Sequence, residues 1–117
     1  MLEGYTHSII QKHSDGRREG EYEAVAVDFV LLPDPTFALL LSELRDLGGR
    51  IWNKEKVFVT IDHFSPPSTI ERANIAKAVI SFAKGEALPH QSIYQGICHQ
   101  LLVEGPWLMP GMLVLGA

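Results

Sequence analysis

Cysteine is nearly absent from the sequence: Cys98 is the single one among 117 residues. That excludes an internal disulfide framework and any Cys-rich zinc or cluster site built by this chain alone. Positive charge is scarce as well, with 10 Lys and Arg against 14 Asp and Glu for a formal net charge of −4. Phosphate backbones are bound by clustered cations, so no nucleic-acid partner is expected. The small basic group Lys12, His13, Arg17 and Arg18 surrounds Asp15-Gly16 and reads as a solvated stretch. Long apolar runs are also missing. The longest stretch free of charged residues and histidine, Gly105 to Ala117, is broken by Pro106 and Pro110 and falls short of the ~20 residues that cross a bilayer. No basic segment followed by an apolar one opens the chain, so neither a membrane nor secretion is indicated and a cytoplasmic location follows by default.

What is present is ordinary globular material. Hydrophobic residues make up 46% of the chain, enough for a buried core, and the length allows one compact domain or a piece of a larger one. Thr6 to His13 reads as a short helix that places Ile9 and Ile10 on a partner surface. From Glu21 to Leu32, alternation at Val25, Val27 and Phe29 passes into continuous Val30, Leu31 and Leu32, the pattern of a strand entering the interior. Pro33 stops it. Asp34 is expected to cap a helix over roughly 35–47, with Pro35 in the first turn and Gly48-Gly49 at the end.

Val57 to Ile61 is β-branched and apolar throughout, the signature of a strand covered on both faces in a parallel sheet. A capping box from Ser68 to Glu71 predicts a largely buried helix to about Lys84, striped by Ala73, Ala76, Val79, Ile80 and Ala83. A strand fragment is expected at Ile93-Tyr94, then extended chain through Gly96 to Gln100 and a last buried strand at Met112 to Leu115. Strands alternating with helices predict an α/β layered sheet.

In open parallel sheets, ligands gather beyond the carboxyl ends of the strands, and Asp62-His63 stands there, directly after a buried strand. A carboxylate that holds an imidazole in one tautomer prepares it to move a proton to or from a substrate oxygen. The plainer reading is that Asp62 caps a turn and His63 faces solvent. His99 reads as a packed histidine or a catalyst. On extended chain Cys98 and His99 point to opposite faces, which disfavours a Cys-His nucleophile pair. A zinc site from His63, His90, Cys98 and His99 lacks the usual close ligand pairs. Glu104 reads as a turn residue, and His7, His13 and His90 as exposed. No phosphate-binding glycine loop or serine elbow is present.

Taken together, Val59-Thr60-Ile61-Asp62-His63-Phe64-Ser65-Pro66, then Gly96-Ile97-Cys98-His99-Gln100, Glu104 and the closing Pro110 to Ala117, resemble the N-terminal part of the aconitase superfamily. The likeness lies with large subunits of the 3-isopropylmalate dehydratase and homoaconitase type, and the Thr6 to His13 opening resembles the family's start. The resemblance implies a three-layer α/β/α domain with a mainly parallel sheet, of which residues 1–117 are the N-terminal and incomplete segment. It implies an iron–sulfur hydro-lyase that removes water from a 2-hydroxy diacid, with a 4Fe–4S cluster in the full-length protein and none held by this chain alone. Leucine biosynthesis is the implied setting. Asp62 and His63 would form one histidine–carboxylate pair of the site and His99 would belong to another.

The resemblance also places parts elsewhere. An Asp-Ser-His-Thr segment after Ala117 would bring the aspartate partner of His99, the cluster cysteines come later, and the proton-abstracting serine sits in a small, swivelling subunit or domain. The implied partners are therefore the rest of the large subunit, the small subunit and the hydroxy acid. Pro33 stands where aconitases proper carry a polar residue ahead of Asp34, and Gln95 where relatives often have Gly or Glu before Gly96; both point away from citrate, toward isopropylmalate-like acids or other 2-hydroxy diacids. The alternative is a stand-alone, non-catalytic association module that keeps this fold fragment; a small zinc hydrolase is a third reading.

Overall fold

A computed structural model describes residues 26–51 and 53–116. The helix expected over Thr6 to His13 and the start of the first strand lie outside them. In chain order the described elements are β1 (Phe29–Pro33), α1 (Asp34–Asp46), a 3-10 turn (Lys54–Lys56), β2 (Val57–Ile61), α2 (Ile70–Gly85), β3 (His90–Ile93), α3 (Cys98–Glu104) and β4 (Val114–Leu115). The strands form one four-stranded sheet in the order β3-β2-β1-β4, and every pairing is parallel.

β2 is buried at all five positions, because its alternate side chains enter two different cores. Val57, Val59 and Ile61 pack with Phe37 and Leu41 of α1 and Ala76, Val79 and Ala83 of α2. Phe58 points the other way, into a cluster with Phe29, Leu31, and Cys98 and Leu102 of α3. Period-two alternation therefore makes three layers, α1 and α2 on one face and α3 on the other. Trp107 meets Phe58 edge-on, ring centroids 4.7 Å apart, and closes the second core.

The helix ends depart from the expected caps in an instructive way. α1 starts at Asp34 itself, with Pro33 as N-cap and no side-chain cap bond; Asp34 is turned inward instead. At its end Gly48 takes φ 62°, the left-handed conformation that closes helices, and its N–H reaches Arg45 O at 3.0 Å. In α2 the cap is Thr69, whose Oγ1 accepts from Arg72 N, while Ser68 Oγ accepts from the Arg72 guanidinium. The expected Ser68–Glu71 box is thus displaced by one residue. α2 buries only the stripe Ala76, Val79 and Ala83, and Ile70 at its start is exposed, so it is a covering helix and not a buried one.

Two further expectations are corrected. Cys98 to Gln100 is helical, not extended. β4 is a two-residue edge whose Leu115 is exposed, because among the described residues it pairs on one side alone, with β1. Beside it an apolar cleft is lined by Val30, Leu32, Leu40, Leu44, Leu47 and Leu115.

Candidate functional site

The carboxyl ends of β1, β2 and β3 converge, and each strand delivers polar groups there. β1 runs into Asp34, β2 into Asp62-His63, and β3 into Tyr94-Gln95-Gly96, which leads to α3. Asp62 is the hub. Its Oδ2 accepts the Cys98 N–H at 2.9 Å, Thr60 donates to Oδ1 at 3.3 Å, and His63 Nδ1 lies 3.0 Å from Oδ1. Burial works against ionisation of Asp62, but the Cys98 N–H and His63 outweigh it and hold the carboxyl below its ordinary value. Asp62 is therefore a carboxylate at neutral pH and can only accept, so Nδ1 of His63 carries the proton of that bond.

The α3 N-terminus explains why Asp62 matters locally. Its N-cap, Ile97, has no side chain to offer its exposed N–H groups, and Asp62 supplies the missing acceptor from the neighbouring strand. α3 in turn places Cys98 in the core, fully buried, and His99 at the surface. His99 Nδ1 is 3.0 Å from Cys98 Sγ, so the two adjacent side chains meet. The expectation that they diverge fails because the segment is a helix and not extended chain. Burial, and then the charge and hydrogen bond of Asp62, push the Cys98 thiol up, which keeps it protonated and unreactive.

Asp62, His63 and Cys98 bring their ligating atoms within 4.8 Å of one another, and His99 joins this group through Cys98. His90 does not. It opens β3, at the opposite end of the sheet, half-buried with Trp107 Nε1 donating to its Nδ1 and Glu55 near its Nε2. The four-residue zinc set that the sequence allows is thereby split.

The residue that sequence reasoning undervalued is Asp34. It is completely buried, its Oδ1 accepts from His63 N at 3.3 Å and its Oδ2 from Phe64 N at 2.9 Å. The signal was available: like Asp62, Asp34 immediately follows a buried strand of a parallel sheet. Tyr94 was missed too. It takes φ 59°, uncommon for a bulky residue and a feature that clusters at functional sites. With Asp62, Ser65, Gln95, Gly96 and Ile97 it lines an open cleft of about 370 Å³.

No family model matches the chain. Comparison with curated proteins does find relatives. The large subunit 2 of 3-isopropylmalate dehydratase from Methanopyrus kandleri is 39% identical over 109 residues, covering 92% of this chain and 27% of that protein. The methanogen homoaconitase large subunit from Methanocaldococcus jannaschii is 33% identical over 98 residues, with 83% and 23% covered. Large subunit 1 of 3-isopropylmalate dehydratase from Archaeoglobus fulgidus is 30% identical over 121 residues, with 100% and 29% covered. The chain belongs to the aconitase superfamily. It spans about a quarter of the length of the curated relatives it matches.

The superfamily's implied 4Fe–4S cluster can be tested against the residues present. Such clusters are held by several cysteine thiolates. This chain has one cysteine, buried in the second core with its thiol pushed toward the protonated form and its sulfur against His99. These residues do not fit the cluster. The groups that do face the cleft end of the sheet are proton-handling ones. Among the described residues no helix is long and apolar enough to cross a membrane.

Proposed function

We propose that residues 1–117 are the N-terminal segment of a hydro-lyase large subunit and supply one wall of its site, with Asp62, His63 and His99 as the groups that move protons. The observation that carries this reading is the Asp62–His63 pair at the carboxyl edge of the parallel sheet, its Nδ1 engaged by a carboxylate. With Nδ1 so held, Nε2 is the nitrogen that meets a substrate. Elimination of water from a 2-hydroxy diacid breaks a C–O bond whose electron pair goes to oxygen, and hydroxide leaves poorly unless protonated. An imidazolium at His63 delivers that proton and, in the hydration direction, the neutral ring takes it back. His63 is half-exposed, as a residue that must touch substrate should be. The base for the carbon-bound proton and the cluster belong to the rest of the large subunit and to the small subunit. Isopropylmalate-like acids are the substrate class and the cytoplasm is the location.

A second reading has its own support. Leu40, Leu47 and Leu115 are exposed together around the apolar cleft beside β4, as expected of a module that associates with another chain.

The test is to graft residues 1–117 in place of the homologous segment of the M. kandleri large subunit and assay dehydration of 3-isopropylmalate with the matching small subunit. The graft should turn over, and His63→Gln should lower kcat by roughly 10²-fold or more, the usual contribution of a positioned general acid. Unchanged turnover in both His63→Gln and His99→Gln would refute the assigned roles. A correctly assembled but inactive graft favours the association module.

A further inference from the structure

The pair at the site has a third member. Asp34 sits at the end of β1, 29 positions from His63 and 30 from Phe64 in sequence, yet spends both carboxylate oxygens on their backbone N–H groups. A residue that merely capped its own helix would bond locally, and the N-cap of α1, Pro33, makes no side-chain cap bond. Moreover, Asp34 Oδ1 lies 3.3 Å from His63 Nδ1, on the ring nitrogen that Asp62 Oδ1 already approaches at 3.0 Å. Two carboxylates from two adjacent strands therefore face one ring nitrogen, and none of the interactions among the described residues engages Nε2.

We propose that Asp34 is a positioning residue for His63: together with Asp62 it brackets Nδ1, fixes the ring at the cleft and makes Nε2 the nitrogen that exchanges a proton with the substrate oxygen. One carboxylate leaves an imidazole on an exposed turn free to swing about that single bond. A second carboxylate 3.3 Å from the same nitrogen, itself buried and anchored through the backbone of residues 63 and 64, restricts that freedom. Asp62 as acceptor and the negative charge of Asp34 beside it both favour the neutral tautomer with hydrogen on Nδ1, the one whose Nε2 lone pair can receive a proton. Asp34 acts through His63 and touches no substrate. The proposal rests on the hydro-lyase reading for its purpose, but its test does not depend on turnover.

The experiment is long-range ¹H–¹⁵N spectroscopy of the imidazole rings in the full 117-residue chain, with His63→Gln to assign the signals. Neutral His63 should carry its hydrogen on Nδ1. In Asp34→Asn the side-chain amide can donate to Nδ1, and the ratio of Nδ1–H to Nε2–H forms should fall by about tenfold, the equivalent of one net hydrogen bond to a charged group. If Asp34→Asn only speeds amide exchange at residues 63 and 64 and leaves the tautomer ratio unchanged, the role is structural and the proposal is overturned. If that variant does not fold, the unmodified chain can still overturn the proposal, because hydrogen on Nε2 in neutral His63 is incompatible with two carboxylates facing Nδ1. An inactive graft combined with the expected ring spectrum would strike the hydro-lyase reading and leave this one standing.

Discussion

Replacing Asp62 by Asn isolates the bond that ties the site to the fold. The carboxylate caps α3 from outside through Cys98 N at 2.9 Å, at a helix start whose own N-cap residue, Ile97, makes no side-chain cap bond. Losing a cap of this kind costs about 1 kcal/mol. Removing the negative charge from the helix N-terminus adds roughly 0.3–1 kcal/mol, and the bond to half-exposed His63 contributes about 0–1 kcal/mol. Asn retains one oxygen, so the net loss should be about 1–2 kcal/mol, or roughly 4–8 °C in Tm for a domain of this size. The pH dependence carries the sharper test. The folded-state pKa of Asp62 is depressed below the ordinary 3.8, so its stabilisation is fully present above that value and is lost as pH falls through the folded pKa. Thermal melts followed by circular dichroism should show the two proteins well separated at pH 7 and converging at the acid end. Coincident melts at pH 7, or a gap that persists undiminished at acid pH, would refute the assignment of Asp62 as a charged external cap.

Other outcomes follow from the same geometry. Cys98 should resist iodoacetamide at mildly alkaline pH in the folded chain and react at the rate of a free thiol once unfolded, since burial and Asp62 both oppose the thiolate; rapid labelling of the native chain would contradict its placement in the second core. Phe58→Ala removes a side chain only 2% exposed and its edge contact with Trp107, so denaturant melts should report a loss of about 3–5 kcal/mol and tryptophan emission should shift to the red. Tyr94→Gly should leave stability equal or raise it by up to ~1 kcal/mol, because Gly adopts φ 59° freely and a side chain 49% exposed gives up little burial. A clear drop in the denaturation midpoint would show that the Tyr94 ring packs more than its exposure suggests.

β2 and the pair that follows it were legible because the information is local: an apolar, β-branched run declares a strand covered on both faces, and its carboxyl end declares where polar chemistry gathers. α3 was illegible for the opposite reason. Its start at Cys98 is licensed by a carboxylate 36 positions earlier, and without that acceptor Gly96-Ile97-Cys98 carries no helix signal. Asp34 shows the same limit. A Pro-Asp-Pro sequence reads as a helix cap, and only the parallel register of Pro33 against Thr60 turns its side chain toward the next strand's turn. The displaced cap at Thr69 reflects competition between neighbouring hydroxyls, Ser68 being drawn away by the Arg72 guanidinium.

The strand order sets a folding sequence as well as a shape. β1, β2 and β3 lie side by side in the order they are made, joined by α1 and α2, and each pairing closes a loop of modest length. β4 must travel back to the far side of β1, where Asp28 receives Leu113 across 85 positions. Loop closure of that span is the entropically slower event, and its reward is a two-residue ladder. Spontaneous opening should therefore peel β4 away first, while Asp34, Asp62 and His63 stay assembled on the unit that formed before it. Amide exchange should show that hierarchy directly, with Leu113 to Leu115 exchanging earliest and the β2 amides last.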